Sequence, residues 1–430
     1  MDALLQNIQD PLARLLLQFI VIILATRAVG SLFSKFGQPS VIGELTAGII
    51  LGPSLFGWLW PDAFQFLFPK QSLGNLQLFS QIGVCVFMFV VGMELDLAHV
   101  REKARTAFVV SHVGIVVPFL LGFGAAFLLY PSYAAPGDSF VAFALFMGIA
   151  MSITAFPVLA RILADRGLTK TPLGALAITC AAVGDATAWT VLALVVAVAR
   201  AAGLASTFFN LILLVLFVAL MLLVVRPRLG KWLKVEKADG APGHGVIAAI
   251  LVLMTASALT TQIIGIHALF GAFLAGVVMP QKKEFRDYLA VRLENFSGIF
   301  LLPLFFAFSG LRTSVGLLND AGSWLAFAGI IAVAVVGKLG GSMMAARLTG
   351  SNWNDAFALG ALMNTRGLVE LVALNIGYDL GILPPRIFSM MVLMALGTTF
   401  MTGPLLNLAE KMKRRKNSVT VDNLATSKEK

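Results

Sequence analysis

The stretch "SITAFPVLARIL", residues 152–163, sets Ser152, Thr154 and Pro157 together inside an apolar run long enough to cross a bilayer. A membrane helix must satisfy its own backbone, so a proline with polar neighbours near mid-span marks a kink or a break in the hydrogen-bond ladder. Which of the two it is depends on what other segments bring to the same depth.

Composition places the chain in a membrane. Of 430 residues, 58% are hydrophobic and 13% charged, with a mean hydropathy of +0.89, far too apolar for an ordinary soluble domain. The two cysteines, Cys85 and Cys180, both fall in hydrophobic stretches and support neither a disulfide scaffold nor a thiolate metal site. The N-terminal "MDALLQNIQD" is acidic and lacks the basic start of a signal peptide, so the first apolar segment is expected to stay.

At roughly 20 apolar residues per crossing, thirteen segments are expected, near 12–34, 39–60, 75–95, 106–130, 139–163, 172–199, 204–225, 244–264, 266–281, 293–312, 322–346, 354–378 and 386–408. Basic residues test the count, because Lys and Arg collect in cytoplasmic loops. With thirteen crossings, 25 of them fall on one side and 5 on the other, the latter being Arg14, Lys70, Arg200, Arg312 and Arg386. The N-terminus is therefore expected outside and the C-terminus in the cytoplasm, with the plasma (inner) membrane as location. The asymmetry accounts for the net charge of +10 without nucleic acid. The polar tail, 409–430, carries a basic cluster suited to anionic lipid headgroups.

Segment two contains "AGIILGP" (47–53) and segment nine "AGVVMP" (275–280); segment three ends in "FMFVVGMELD" (87–96) and segment ten in "FFAFSGLRTS" (305–314). Two such pairs in matching order suggest an internal repeat, about 39–199 against 266–408. Equivalent segments are seven apart, an odd number, so the repeats run through the membrane in opposite directions. Inverted repeats typify transporters, with the substrate site where the halves meet. Segment five then corresponds to segment twelve, "DAFALGALMNTRGLVELVALNIG" (355–377), itself interrupted by Asn364, Thr365, Arg366 and Gly367. The opening stretch is thus read as one of two broken helices, whose freed backbone groups are tolerated around a protein-lined, hydrated cavity.

Charges at that depth are costly and functional by default. Asp185 falls at the centre of segment six, Arg366 at the centre of segment twelve, and Lys338 within about a turn of the centre of segment eleven. A carboxylate there can hold a proton or a monovalent cation but not both. If the site reorients only when Asp185 is occupied, exchange follows. A permanent Asp185–Lys338 salt bridge is the structural alternative. Lys338 otherwise balances the partial charges of broken helix ends or repels cations until Asp185 is free; it lies too deep to snorkel. Arg366 either serves transport or ties segment twelve together through backbone carbonyls. Glu370, four residues on, is its natural partner. Glu44 and His267, early in equivalent segments two and nine, line an access path or cap helix ends.

"SITAFPVLARILAD", "GDATAW", "IGIHALFGAFLAG", "LPLFFAFSGLRT" and "MNTRGLVELVALNIG" strongly resemble the monovalent cation:proton antiporter superfamily, in the branch of plant cation/proton exchangers and bacterial potassium-efflux proteins. The resemblance covers about residues 12–408. It implies an all-α polytopic fold of about thirteen helices, a core plus a dimerisation domain, two crossed discontinuous helices, a homodimer, and alternating access by an elevator-like movement. It places the cation- and proton-binding roles on Asp185 and Thr154, the core basic residue on Lys338, and a second broken-helix motif on Arg366 and Glu370. Gly184 departs from the Asn, Asp or Gln that many relatives place before the essential Asp, which suggests one proton per cation. No large cytoplasmic regulatory domain is present in the sequence, so regulation of the potassium-efflux kind would need a separate subunit. The expected cargo is Na+ or K+ against H+, with no cofactor. Other readings are a sodium-coupled organic-anion carrier, which one central carboxylate disfavours, and a gated potassium channel. Nothing resembles an enzyme's metal cluster, nucleophile elbow or phosphate loop.

Overall fold

The computed structural model describes residues 10–94, 104–134, 137–200, 204–233 and 242–428, and within them the regular structure is entirely helical. The basic residues expected at 101–103 and 234–237 lie outside the described residues. Eleven helices are long and apolar enough to cross a membrane, and a twelfth span is the pair Trp353–Met363 and Leu368–Asp379, bent by 43°. These match twelve of the thirteen expected segments. Segment nine differs: its helix is only Ala268–Val277, 10 residues. At 1.5 Å per residue that is about 15 Å, half the hydrocarbon thickness. Left-handed Gly265 (φ 91°) ends the preceding helix, His267 caps the short one by accepting from the Leu269 amide, and the turn at Val278 closes it before Pro280.

The chain divides into two compact units interleaved in sequence. The first comprises Met1–Val29, Glu44–Leu97 and Trp189–Ser314. Its core joins Leu15, Phe19 and Ile22 to Leu67, Phe68 and Leu76 and to Leu304, Ala307, Phe308 and Leu311, with Phe19 edge-on to Phe79 and Phe300. Lipid tails are as apolar as leucine, so membrane helices gain little by hiding leucines from them; close approach of small residues holds them together. The repeated glycines do this. A Cβ on Gly48 would lie 2.6 Å from the Cα and carbonyl oxygen of Ala307, and Gly310 faces the backbone of Gly48 even more closely. Gly276 and Gly92 meet in the same manner, Gly276 against Phe89 and Gly92 against Phe273. Segment two thus crosses segment ten, and segment nine crosses segment three. Exchanging two with nine and three with ten turns one crossing into the other.

The second unit comprises Gly30–Gly43, Ala98–Ala188 and Val315–Lys430. One apolar cluster joins Ala155, Val158 and Leu159 to Ala177, Cys180 and Ala181 and to Leu359, Leu362 and Met363. Segment eleven, whose Val336–Gly340 is wound as a π-turn, packs on segment four (Ala104–Tyr133): Gly337 against Pro118 and Gly341 against Val117.

Candidate functional site

Both expected breaks are present, and they cross. Segment five runs as helix Phe140–Ser152, opens at Ile153–Ala155, and resumes as Phe156–Asp165. Ile153 and Ala155 are extended (φ −71° and −86°). Pro157 lies in the first turn of the second half, where a missing N–H costs nothing, so it starts a helix rather than kinking one. Segment twelve breaks at Asn364–Gly367. Gly367 has φ 157°, and a Cβ there would come within 2.9 Å of Val158 Cγ2; a residue with a side chain would push the two breaks apart.

Hydrogen bonds tie each break to the other. The Ala155 amide donates to the Thr365 carbonyl at 3.0 Å, and the Thr154 hydroxyl to the Met363 carbonyl at 3.1 Å. Segment thirteen secures the same stretch: the Arg366 amide donates to Thr399 Oγ1 (3.0 Å), that hydroxyl lies 2.8 Å from the Arg366 carbonyl, and Thr365 and Thr402 hydroxyls are 3.3 Å apart. Two helix C-termini and two N-termini therefore converge, bringing partial charges of both signs into the membrane interior.

The long cations answer one of those ends. Arg366 Nη1 and Nη2 donate to the carbonyls of Ala150 (2.9 Å) and Met151 (2.7 Å), and Lys338 Nζ donates to the carbonyls of Ser152 and, at 2.7 Å, Gly114. All of Ala150, Met151 and Ser152 belong to the last turn of Phe140–Ser152. Arg366 thus ties segment twelve to segment five rather than bracing its own. Glu370, in the first turn of Leu368–Asp379, pairs with Arg366 Nη1 at 3.2 Å, both side chains wholly buried. Ser152 itself is buried, its hydroxyl 2.7 Å from the Gly148 carbonyl.

Asp185 stands apart from these pairings. It is 2% exposed, so it faces protein rather than lipid, and neither carboxylate oxygen has a hydrogen-bond partner. It lies one turn beyond Ala181, which shares an apolar cluster with Ala155 and Met363. Lys338 is within electrostatic reach of it, yet the ammonium's hydrogen bonds go to backbone carbonyls. Among the described residues no group of three or more His, Cys, Asp and Glu side chains is arranged to hold a metal ion; of the two acids here, Glu370 is ion-paired and Asp185 is not hydrogen-bonded.

The sequence reading missed the Thr398, Thr399 and Thr402 ladder of segment thirteen and the π-turn under Lys338. Both had a signal: three threonines in an apolar span, and glycines at 337, 340 and 341 around the lysine. Glu44 and His267 are buried, and both belong to the first unit.

The family model "sodium/hydrogen exchanger, transmembrane" matches residues 20–408. The chain is 43% identical over 397 residues, 92% of its own length and 97% of the relative's, to a protein named Na(+)/H(+) antiporter NhaS4 from Synechocystis. It is 41% identical to Cation/H(+) antiporter 20 of Arabidopsis thaliana over 91% of this chain, and 35% identical to K(+)/H(+) antiporter 1 of Saccharomyces cerevisiae over 94%. The chain spans about half the length of these last two, 48% and 47%. Among solved structures, the sodium proton antiporter MjNhaP1 of Methanocaldococcus jannaschii shares the fold with a TM-score of 0.69 at 12% identity, covering 94% of this chain and all of that one.

Proposed function

Because the chain belongs to the sodium/hydrogen exchanger family, we propose that it is an integral membrane antiporter exchanging Na+ or K+ for H+, with Asp185 carrying either. The observation that carries this is the Asp185 carboxylate, buried one turn from the apolar cluster that includes Ala155 and Met363, with neither oxygen hydrogen-bonded, while Lys338 and Arg366 hold helix ends. A buried carboxylate without partners is costly unless it gains a proton or a cation. Thr154 lies at the same break, and its hydroxyl oxygen keeps lone pairs free for a cation after donating to Met363.

Competition for one acid sets the coupling. Proton binding displaces the cation and cation binding displaces the proton, so the apparent affinity for cation falls as pH falls. Lys338, Arg366 and Glu370 support the breaks by neutralising helix ends. The crossing of two with ten and nine with three supports inverted repeats, about 39–199 and 266–408, within an exchanger domain of 1–408. Alternating access then consists of reorienting the unit that holds both breaks. A homodimer in the plasma or inner membrane, N-terminus outside, with the 409–430 tail on anionic lipid, completes the reading.

Reconstituted protein tests it by fluorescence dequenching under an imposed proton gradient, with Na+, K+ and Li+ in turn. Wild-type protein is expected to exchange, and Asp185→Asn to fold but not exchange. Undiminished exchange by Asp185→Asn would falsify the single-carboxylate mechanism. Cation flux without proton movement would instead indicate a channel, and flux requiring an organic anion would indicate the other carrier.

A further inference from the structure

The proposal that Asp185 binds the cation leaves open which oxygens complete its shell. A monovalent cation leaving water for a buried site needs several oxygen ligands in place of its hydration, as backbone carbonyls provide in ion-selective filters. Asp185 and Thr154 supply few.

Asn364 is 0% exposed, and both amide heteroatoms, Oδ1 and Nδ2, lack hydrogen-bond partners. The backbone around it is engaged. Its own amide donates to Gly360, the Met363 carbonyl accepts from Thr154, the Thr365 amide donates to Leu362 and its carbonyl accepts from Ala155, and Arg366 is held by Thr399. A buried carboxamide with four unused hydrogen-bonding positions is uncommon in a folded protein. Asp185 is in the same condition, and Glu370 differs from it only by its ion pair with Arg366. Asn364 and Asp185 adjoin one apolar cluster: Ala155, Ala181 and Met363 belong to it, Asn364 follows Met363, and Asp185 is the next turn after Ala181.

Resting on the assignment of Asp185, we propose that Asn364 is a further ligand of the transported cation and a determinant of which cation is accepted. In the cation-loaded state Oδ1 coordinates the ion as a neutral oxygen. In the proton-loaded state the amide hydrogen-bonds the Asp185 carboxyl group. A carboxamide suits both states because it holds a donor and an acceptor and adds no charge, leaving the competition between proton and cation to the carboxylate. The ligand class is a dehydrated alkali cation, and the distance between Asn364 and Asp185 becomes the gauge of its size.

The test separates Asn364 from Asp185. Cation-dependent thermal stabilisation of purified protein reads binding directly, since a ligand of the folded state raises stability with concentration; Na+, K+ and Li+ are titrated against wild type, Asn364→Leu, Asn364→Ser and Asp185→Asn. Asn364→Leu, with the same branching but no oxygen, is expected to move the cation midpoint up by about tenfold, one ligand's worth of affinity, and to change the order of preference among the three ions. Asn364→Ser, which keeps one oxygen on a shorter side chain, is expected to raise it by about threefold. Dequenching in liposomes should show KM raised and maximal exchange retained. If Asn364→Leu stabilises the protein and leaves midpoints and ion order as in wild type, the amide is structural and the inference is overturned. Should Asn364→Leu not fold, an unaltered midpoint and ion order in Asn364→Ser overturns it equally. An unchanged cation response in Asp185→Asn is a different failure, since it removes the assignment on which Asn364 was built.

Discussion

At the scale of single residues, the site separates into charges that are spent and one that is not. Arg366 spans two carbonyls of segment five and the carboxylate of Glu370, a task for a planar fork with several donors rather than a point charge. Arg366→Lys is therefore expected to destabilise almost as much as Arg366→Gln, by about 3–5 kcal/mol, because either leaves Glu370 or the carbonyls buried without a partner. Changing both members, Arg366→Met with Glu370→Leu, removes the stranded charge and should recover part of the loss. Thermal unfolding of wild type, Arg366→Met, Glu370→Leu and the double variant in detergent measures this; additive single effects would show that the pair is uncoupled. Glu370 is also set in the first turn of its half-helix, where a negative charge opposes the positive end of the dipole.

Among elements, the decisive ones are those that touch through glycine. The Gly48–Gly310 and Gly92–Gly276 crossings leave no room for a Cβ, so Gly48→Val and Gly276→Val should each cost about 1–3 kcal/mol through overpacking. Gly74, with open space around it, provides the control: Gly74→Ala is expected to be neutral or slightly stabilising, since alanine is the better helix former. A neutral Gly276→Val would show that the two crossings are not equivalent. Much of this was legible in the sequence. "AGIILGP" and "AGVVMP" carry the glycines of the two crossings, and Pro157 and "NTRG" announced the breaks, because glycine, proline and unpaired polar residues are what an interrupted membrane helix requires. What the sequence could not carry was direction. Arg366 has carbonyls within reach in its own segment and in segment five, and only the crossing of the breaks decides which it holds. Asn364 was read as part of a break; that its amide is unpartnered depends on every neighbour having found another bond first. Segment nine, 266–281, has the length of a short span in its residue types alone, whereas the conformations of Gly265 and His267 confine its helix to ten residues.

For the whole molecule, that short helix is the test of topology. If segment nine crosses, residues before segment eight and after segment nine lie on one side, and the charge bias makes it the cytoplasm. With Cys85 and Cys180 replaced by serine, His244→Cys and Gln281→Cys should react with a membrane-impermeant maleimide only from the cytoplasmic face, and Gln262→Cys only from the opposite one. Labelling of Gln281→Cys together with Gln262→Cys would reduce the crossings to twelve and reverse every later loop. The two broken helices, by contrast, differ where their chemistry matters. Lys338 and Arg366 both cap the inner end of Phe140–Ser152, whereas the corresponding end of Trp353–Met363 receives the neutral Thr154 hydroxyl. A machine with twin frames but unequal counterweights has a preferred resting side: turning it one way and turning it back are different climbs, and forward and reverse turnover under mirrored gradients would run at unequal speeds.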